Sequence, residues 1–335
     1  MNFFSFQNLV KNQIIIIFSL FFFLLIIFFL AISIGSFKLS IIDLIKGNLS
    51  DLEKNIFFDI RAPRVFLAGF VGSSLALSGA CLQGLFRNPL ADPGLIGVSS
   101  GAALGAACAI VIGGSTFIGI YLVPFSAILG SLLIIITLFF ITKNFSYSSV
   151  TYILLAGIAI NSLAGVGIGF LTYISDEAAL RSLTFWTMGS FEGVTWSWTI
   201  PAVFIIFSTV IWIMRFSRKL DLIQLGELEA YRLGVDVKKL KWSVIVSSAI
   251  IVGVSVSLVG MIGFVGLVVP HLVRLIGGVN HKYLLLGSIF LGAILMILSD
   301  LIARIVIAPA LLPVGLITSA IGSPFFLWLI FKMRK

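Results

Sequence analysis

The chain has 335 residues, 60% of them hydrophobic and 10% charged, with a mean hydropathy of +1.19. A soluble globular protein carries about 25% charged residues, so a water-facing surface is excluded. The net charge of +9 comes from lysines and arginines scattered between apolar runs, not from a basic stripe, which argues against a nucleic-acid binder.

A bilayer core takes about 20 apolar residues per helix, and each span with its loop uses about 30. The chain therefore fits about ten spans in a single all-α polytopic membrane domain covering residues 1–335. The first is expected at 14–34, after Lys11. It is longer than a signal peptide's apolar region of about 7 to 15 residues, and no A-x-A site follows it. The others are expected at 65–86, 95–112, 118–142, 150–174, 198–214, 242–260, 261–273, 283–299 and 314–331. Segment 261–273 is short for a full crossing, which predicts a tilted or broken helix.

Lysine and arginine placement orients these spans. With the N-terminus inside, Lys11, Arg87, Lys143, Arg215, Arg218, Lys219, Arg232, Lys238, Lys239, Lys241, Arg274, Lys282, Lys332, Arg334 and Lys335 lie inside. Lys38, Lys46, Lys54, Arg61, Arg64, Arg181 and Arg304 lie outside. This bias predicts both termini in the cytoplasm and an even number of spans. A shift of 181 residues superimposes Gly72, Ser74, Leu77, Gly79, Pro89 and Gly97 on Gly253, Ser255, Leu258, Gly260, Pro270 and Gly278. Five spans separate the two copies, which is the inverted-repeat plan of many transporters. Gly97, Gly101 and Gly105 share one helix face, and Gly165, Gly167 and Gly169 thin out another, so close helix packing is expected at both.

No Asp, Glu, Lys, Arg or His occurs in 93–142, 144–175, 193–214, 242–270 or 283–299. Ion-coupled transporters place such groups at mid-membrane, so a secondary transporter is the weaker alternative. The sequence holds no H-E-x-x-H, no G-x-S-x-G and no P-loop, which argues against an intramembrane enzyme or an ATPase on this chain. Cys81 and Cys108 lie inside apolar runs and indicate neither a disulfide framework nor a metal site.

Two loops stand out. In the inner loop, L-G-E-L-E-A-Y-R-L-G-V at 225–235 predicts a short helix over 225–234 with Gly234 as its C-terminal cap. Its acidic start and later Arg232 suit the helix dipole and a protein partner better than anionic lipid. In R-N-P-L-A-D-P-G at 87–94 two prolines stop one helix, while Asp92 and Pro93 are placed to cap and begin the next.

Several motifs, in order along almost the whole chain, resemble the iron-chelate and cobalamin permeases of type II ABC importers. They are I-R-A-P-R at 60–64, S-G-A-C-L-Q-G-L-F-R-N-P-L-A-D-P-G-L-I-G-V-S-S-G-A at 78–102 and F-W-T-M-G-S at 185–190. The segment 225–235, G-F-V-G-L-V-V-P-H-L-V-R-L at 263–275, D-L-I-A-R at 300–304 and L-P-V-G at 312–315 complete the set. The resemblance implies a permease subunit of the bacterial inner membrane that works as a homodimer. Two ATPase subunits, which use ATP and Mg, would lie beneath it, with a periplasmic or surface binding protein above. No cofactor or metal is implied for this chain itself.

Carried over residue by residue, Arg61, Arg64 and Arg304 would meet acidic groups of the binding protein. Leu225, Gly226, Glu227, Ala230, Arg232, Leu233 and Gly234 would couple to the ATPase, and Ser149, Val150 and Thr151 would fall at an inner gate. An uncharged path suits a bulky chelate. The strings at 87–102 and 180–190 look closest to haem permeases, with a ferric siderophore or cobalamin as alternatives.

Overall fold

The computed structural model describes residues 3–35, 50–113, 119–142 and 150–333, and among them every regular element is helical. In chain order the helices are α1 (Phe3–Ser33), α2 (Asp51–Asn55), a π-helical turn (Ile56–Arg61) and α3 (Ala62–Phe86). A 3₁₀ turn (Pro93–Ile96) leads into α4 (Val98–Gly113), α5 (Gly119–Thr142) and α6 (Val150–Ile174). Then come α7 (Glu177–Met188), α8 (Trp196–Met214), α9 (Ser217–Ile223) and α10 (Glu227–Arg232). The last four are α11 (Val237–Val259), α12 (Val265–Gly277), α13 (His281–Ile305) and α14 (Val314–Met333).

Seven of the described helices are long and apolar enough to cross a bilayer, and three shorter apolar ones are α4, α12 and α14. Each of the ten expected spans coincides with one of these ten. In apolar solvent each backbone N–H and C=O must bond within its own segment, so an uninterrupted apolar run has little choice but helix.

The segment expected at 261–273 begins later. Gly260 leaves α11 at φ 76° and Phe264 takes a left-handed φ of 68°, so 260–264 is an irregular break and α12 starts at Val265. Three helices outside the expected segments also form, α2, α7 and α9. The first two are capped locally: Ser50 and Glu53 form a reciprocal capping box, and the Asp176 carboxylate accepts from Ala179 N–H, whereas α9 follows Phe216 with no side-chain cap.

The chain divides into two compact units. The first comprises residues 1–80, 191–207 and 263–335. Here α1 lies along α13, with Phe21 set edge-on to Phe290 at 5.7 Å, and α12 and α14 pack on one another and on α13. α3 crosses α13 where Gly72 meets Gly292. A Cβ on either glycine would collide with the other's carbonyl, so the two backbones touch. Ser73 donates to Ile289 O at 3.0 Å beside the crossing, and Gly79 gives α3 the same closeness to Gly266 of α12.

The second unit comprises 81–190 and 208–262. Its α4 packs on α5, α6, α7 and α11. Gly101 and Gly105, expected to form a packing face, do so: Gly101 meets Gly130 and Gly105 meets the carbonyl of Ser126 on α5. Gly97, aligned with them by spacing, lies outside the helix at φ 90° and closes the 3₁₀ turn. Gly167 packs near Leu104, whereas a Cβ at Gly165 or Gly169 would meet open space. Small residues let backbones approach and gain dispersion contacts where lipid supplies no hydrophobic drive.

Candidate functional site

The three arginines expected at a docking face lie together in the first unit, and all three are buried. Arg61, Arg64 and Arg304 are 5%, 8% and 6% exposed. Arg61 ends the π-helical turn, Arg64 opens α3 and Arg304 lies in the last turn of α13.

Arg64 places Nε 2.9 Å and Nη2 2.8 Å from Oδ1 of Asp300. Arg304, one turn beyond Asp300 on the same helix, sets Nε 3.1 Å from Oδ2. Asp300 itself is fully buried. The remaining groups face the C-terminus of α1. Arg61 Nη1 donates to Ile32 O at 3.0 Å and Ser33 O at 2.8 Å; Arg304 Nη2 donates to Ala31 O at 3.0 Å and Nη1 to Ile34 O at 3.4 Å.

The last turn of a helix leaves its carbonyls without intrahelical donors and carries a partial negative charge. Two guanidinium groups fill that role for α1, and their planar forks suit several acceptors at once. Gly35 is pressed against this arrangement, since a Cβ there would come within 2.6 Å of Arg61 Nη2. Two of the three arginines share the Asp300 carboxylate and Arg61 is held by backbone carbonyls, so the cluster carries a surplus of two positive charges.

Asp300 is the residue the sequence reading left out. Its separation of four from Arg304 was available as a signal, because i and i+4 share a helix face. Its pairing with Arg64 spans 236 residues, and only the folded chain reveals it.

The predicted coupling segment lies in the second unit. The expected helix at 225–234 is observed as α10, Glu227–Arg232, flanked by Gly226 at φ 117° and Gly234 at φ 84°. Val235 N–H donates to Ala230 O and Gly234 N–H to Tyr231 O, both at 2.9 Å. This is the Schellman arrangement, and it needs the left-handed residue that glycine supplies.

Ala230 is wholly buried, whereas Leu225, Leu228, Tyr231 and Leu233 are each more than half exposed. Glu227 pairs with the buried Lys241 at 2.7 Å, and the exposed Glu229 and Arg232 pair at 2.9 Å. Just before α10, Gln224 Nε2 donates 2.7 Å to Gly84 O near the end of α3 and 3.0 Å to Leu220 O of α9. A small helix with its apolar side chains outward is thereby tied to α11 through Glu227 and to α3 through Gln224.

The loop between α3 and α4 follows its expected chemistry. Asp92 Oδ1 accepts from Gly94 N–H at 2.8 Å, Pro93 opens the 3₁₀ turn, and Asn88 Oδ1 accepts from Leu90 N–H at 2.9 Å. Burial pushes the Asp92 carboxyl above its usual range, and the Gly94 N–H pulls it partly back. From α6, Asn161 accepts from Ser100 Oγ at 2.6 Å and donates to Gly94 O at 3.0 Å, a polar tie between spans that charge counting overlooked. Of the gate residues, Ser149 lies outside the described residues. Val150 and Thr151 open α6, but their side chains also fall outside them.

With this architecture in view, the chain belongs to the FecCD transport family, whose model matches residues 23–332. It is 45% identical over 305 residues to the hemin transport system permease protein HmuU of Yersinia pestis, covering 90% of this chain and 91% of that protein. It is 40% identical over 280 residues to the vitamin B12 import system permease protein BtuC of Salmonella paratyphi A, covering 83% and 84%. A solved chain described as a metal-chelate type ABC transporter in an inward-facing conformation matches with a TM-score of 0.85 and 36% identity, over 95% of this chain and 99% of that one. The chain is thus a polytopic permease of the type II ABC importer class.

Proposed function

We propose that residues 1–335 form one permease domain that pairs with a second copy to enclose a path for an iron chelate, haem first and a ferric siderophore next. The observation that carries this reading is the near full-length similarity to a hemin permease. Cobalamin stands as the second reading, because the vitamin B12 permeases match almost as far along the chain. The chain would lie in the bacterial inner membrane with both termini in the cytoplasm, as the lysine and arginine distribution favours.

Energy would come from two partner ATPase subunits binding ATP and Mg, and this chain would need no cofactor of its own. Their contact would be residues 225–234. Outward apolar side chains on a helix braced by Glu227 and Gln224 support that role, since a push on α10 would reach α11 and α3 without being absorbed by a soft loop. Cargo would arrive on a binding protein that docks where Arg61, Arg64 and Arg304 cluster. The cluster's surplus positive charge fits acidic groups. Ser149, Val150 and Thr151 would narrow the inner end of the path.

Reconstitution tests the proposal. The chain, coexpressed with an ABC-type ATPase from the same organism, should copurify with that subunit. In vesicles it should take up haem in an ATP-dependent way in competition with ferric siderophore and cobalamin. Uptake of cobalamin with haem ignored would replace the first reading by the second.

A further inference from the structure

The three docking arginines are held by groups of this same chain, and one of those groups is a single carboxylate. Asp300 divides its oxygens, Oδ1 to Arg64 and Oδ2 to Arg304, and is itself wholly buried. Arg304 is also bound to two carbonyls at the end of α1, and Arg61 to two more. Arginine side chains left free at a surface would each lose considerable rotamer entropy on pairing with a partner. Here that ordering is already done.

Like charges drawn together need a counter-charge between them, and Asp300 bridges Arg64 of α3 and Arg304 of α13. Its own backbone carbonyl lies 3.4 Å from Arg304 Nε as well. We propose that Asp300 is the positioning residue of the docking face. Its shared carboxylate fixes the Arg64 and Arg304 guanidinium groups in one arrangement anchored to the end of α1, so that an acidic group of the binding protein meets a preorganised pair. The proposal rests on the docking reading above. It adds to that reading a residue that would never touch the partner.

Positioning and simple attraction predict different kinetics. Removing the Asp300 charge raises the local surplus from two to three, which on its own would speed association with an acidic partner and steepen its salt dependence. Loss of the fixed geometry shortens the life of the complex instead.

The test uses the full transporter in lipid nanodiscs with its ATPase, and follows association and dissociation of the binding protein by surface plasmon resonance at two salt concentrations. Rates report only on molecules that bind, so a smaller folded fraction does not mimic the effect. Arg64→Glu should weaken docking tenfold or more. Asp300→Asn should speed dissociation about tenfold while leaving association equal or faster. Asp300→Glu keeps the charge but displaces it by one methylene, and should speed dissociation a few-fold. This variant carries the test if the asparagine variant fails to assemble.

If Arg64→Glu has no effect, the docking reading and this proposal both fall. If Arg64→Glu weakens docking while the Asp300 variants dissociate at the parental rate, the positioning role alone is overturned. Slower dissociation in Asp300→Asn would show Asp300 to be a competitor for the arginines, which also overturns it.

Discussion

The arginine cluster at Asp300 and the short helix α10 invert the usual arrangement of a protein surface. In the first, charge is buried and large side chains are spent on one another; in the second, leucine and tyrosine stand outward while the paired charges at 229 and 232 lie exposed. Buried charge is tolerated when it is closely paired, which demands fixed geometry. Exposed apolar side chains are retained at a defined place when something covers them. The first region is therefore fixed in geometry before any partner arrives, whereas the second offers apolar side chains for a partner to cover, although the sequence presents both as short charged interruptions between apolar runs.

The sharpest way to break this comparison is at Asp300. Asp300→Ala leaves two buried arginines without a counter-charge and should destabilise the chain by about 3–5 kcal/mol. Thermal unfolding of the purified protein in detergent reads this. A loss below 1 kcal/mol would mean that the cluster is hydrated and not structural.

Next comes Ala230, which is wholly buried. Ala230→Phe should lift α10 from its seat at a cost of about 1–3 kcal/mol. Proteoliposome uptake should fall several-fold while ATP hydrolysis by the assembled complex continues. Uptake at the parental rate would separate α10 from coupling altogether. Lys241→Met removes the buried end of the Glu227 pair and should cost about 1 kcal/mol, the range of an ordinary hydrogen bond. Glu229→Gln, in the exposed pair with Arg232, should leave the melting temperature unchanged, because such pairs contribute under about 1 kcal/mol. The contrast between Asp300→Ala and Glu229→Gln, both nominally ion-pair deletions, measures how far burial alone sets their worth.

A pH-dependent effect is expected at Asp92. Its carboxyl holds a proton more tightly folded than unfolded, because burial disfavours the charged form. A raised folded-state pKa means that stability is greatest below the usual carboxylate range and declines as pH rises through the folded value. Asp92→Asn keeps an oxygen for Gly94 N–H and should flatten that decline. Melting curves across mildly acidic to neutral pH check it, and an unchanged slope would assign the pH dependence elsewhere.

Much of this architecture could be read from residue order. Ten apolar runs became ten apolar helices because the solvent leaves the backbone no other way to bond. The Gly101 and Gly105 face and the Gly234 cap followed because glycine's lack of a Cβ acts locally. Hydropathy does not mark the short helices α2, α7 and α9, although the caps of the first two, Ser50 with Glu53 and Asp176, are legible in the residue order. The break at 260–264 was half seen, as an undersized span, because hydropathy does not register a left-handed Phe264.

At the candidate sites the division is sharper. Residue order placed Arg61, Arg64 and Arg304 near the ends of spans, and placed a glycine-bounded helix in the basic loop. It did not show that the arginines are buried, that Asp300 joins two of them, or that the end of α1 receives their remaining donors. Helix formation and membrane insertion depend on neighbours within a few turns, which the sequence records directly. The pairing of Arg64 with Asp300 depends on α3 and α13 meeting at Gly72 and Gly292, and only the packed helices decide that.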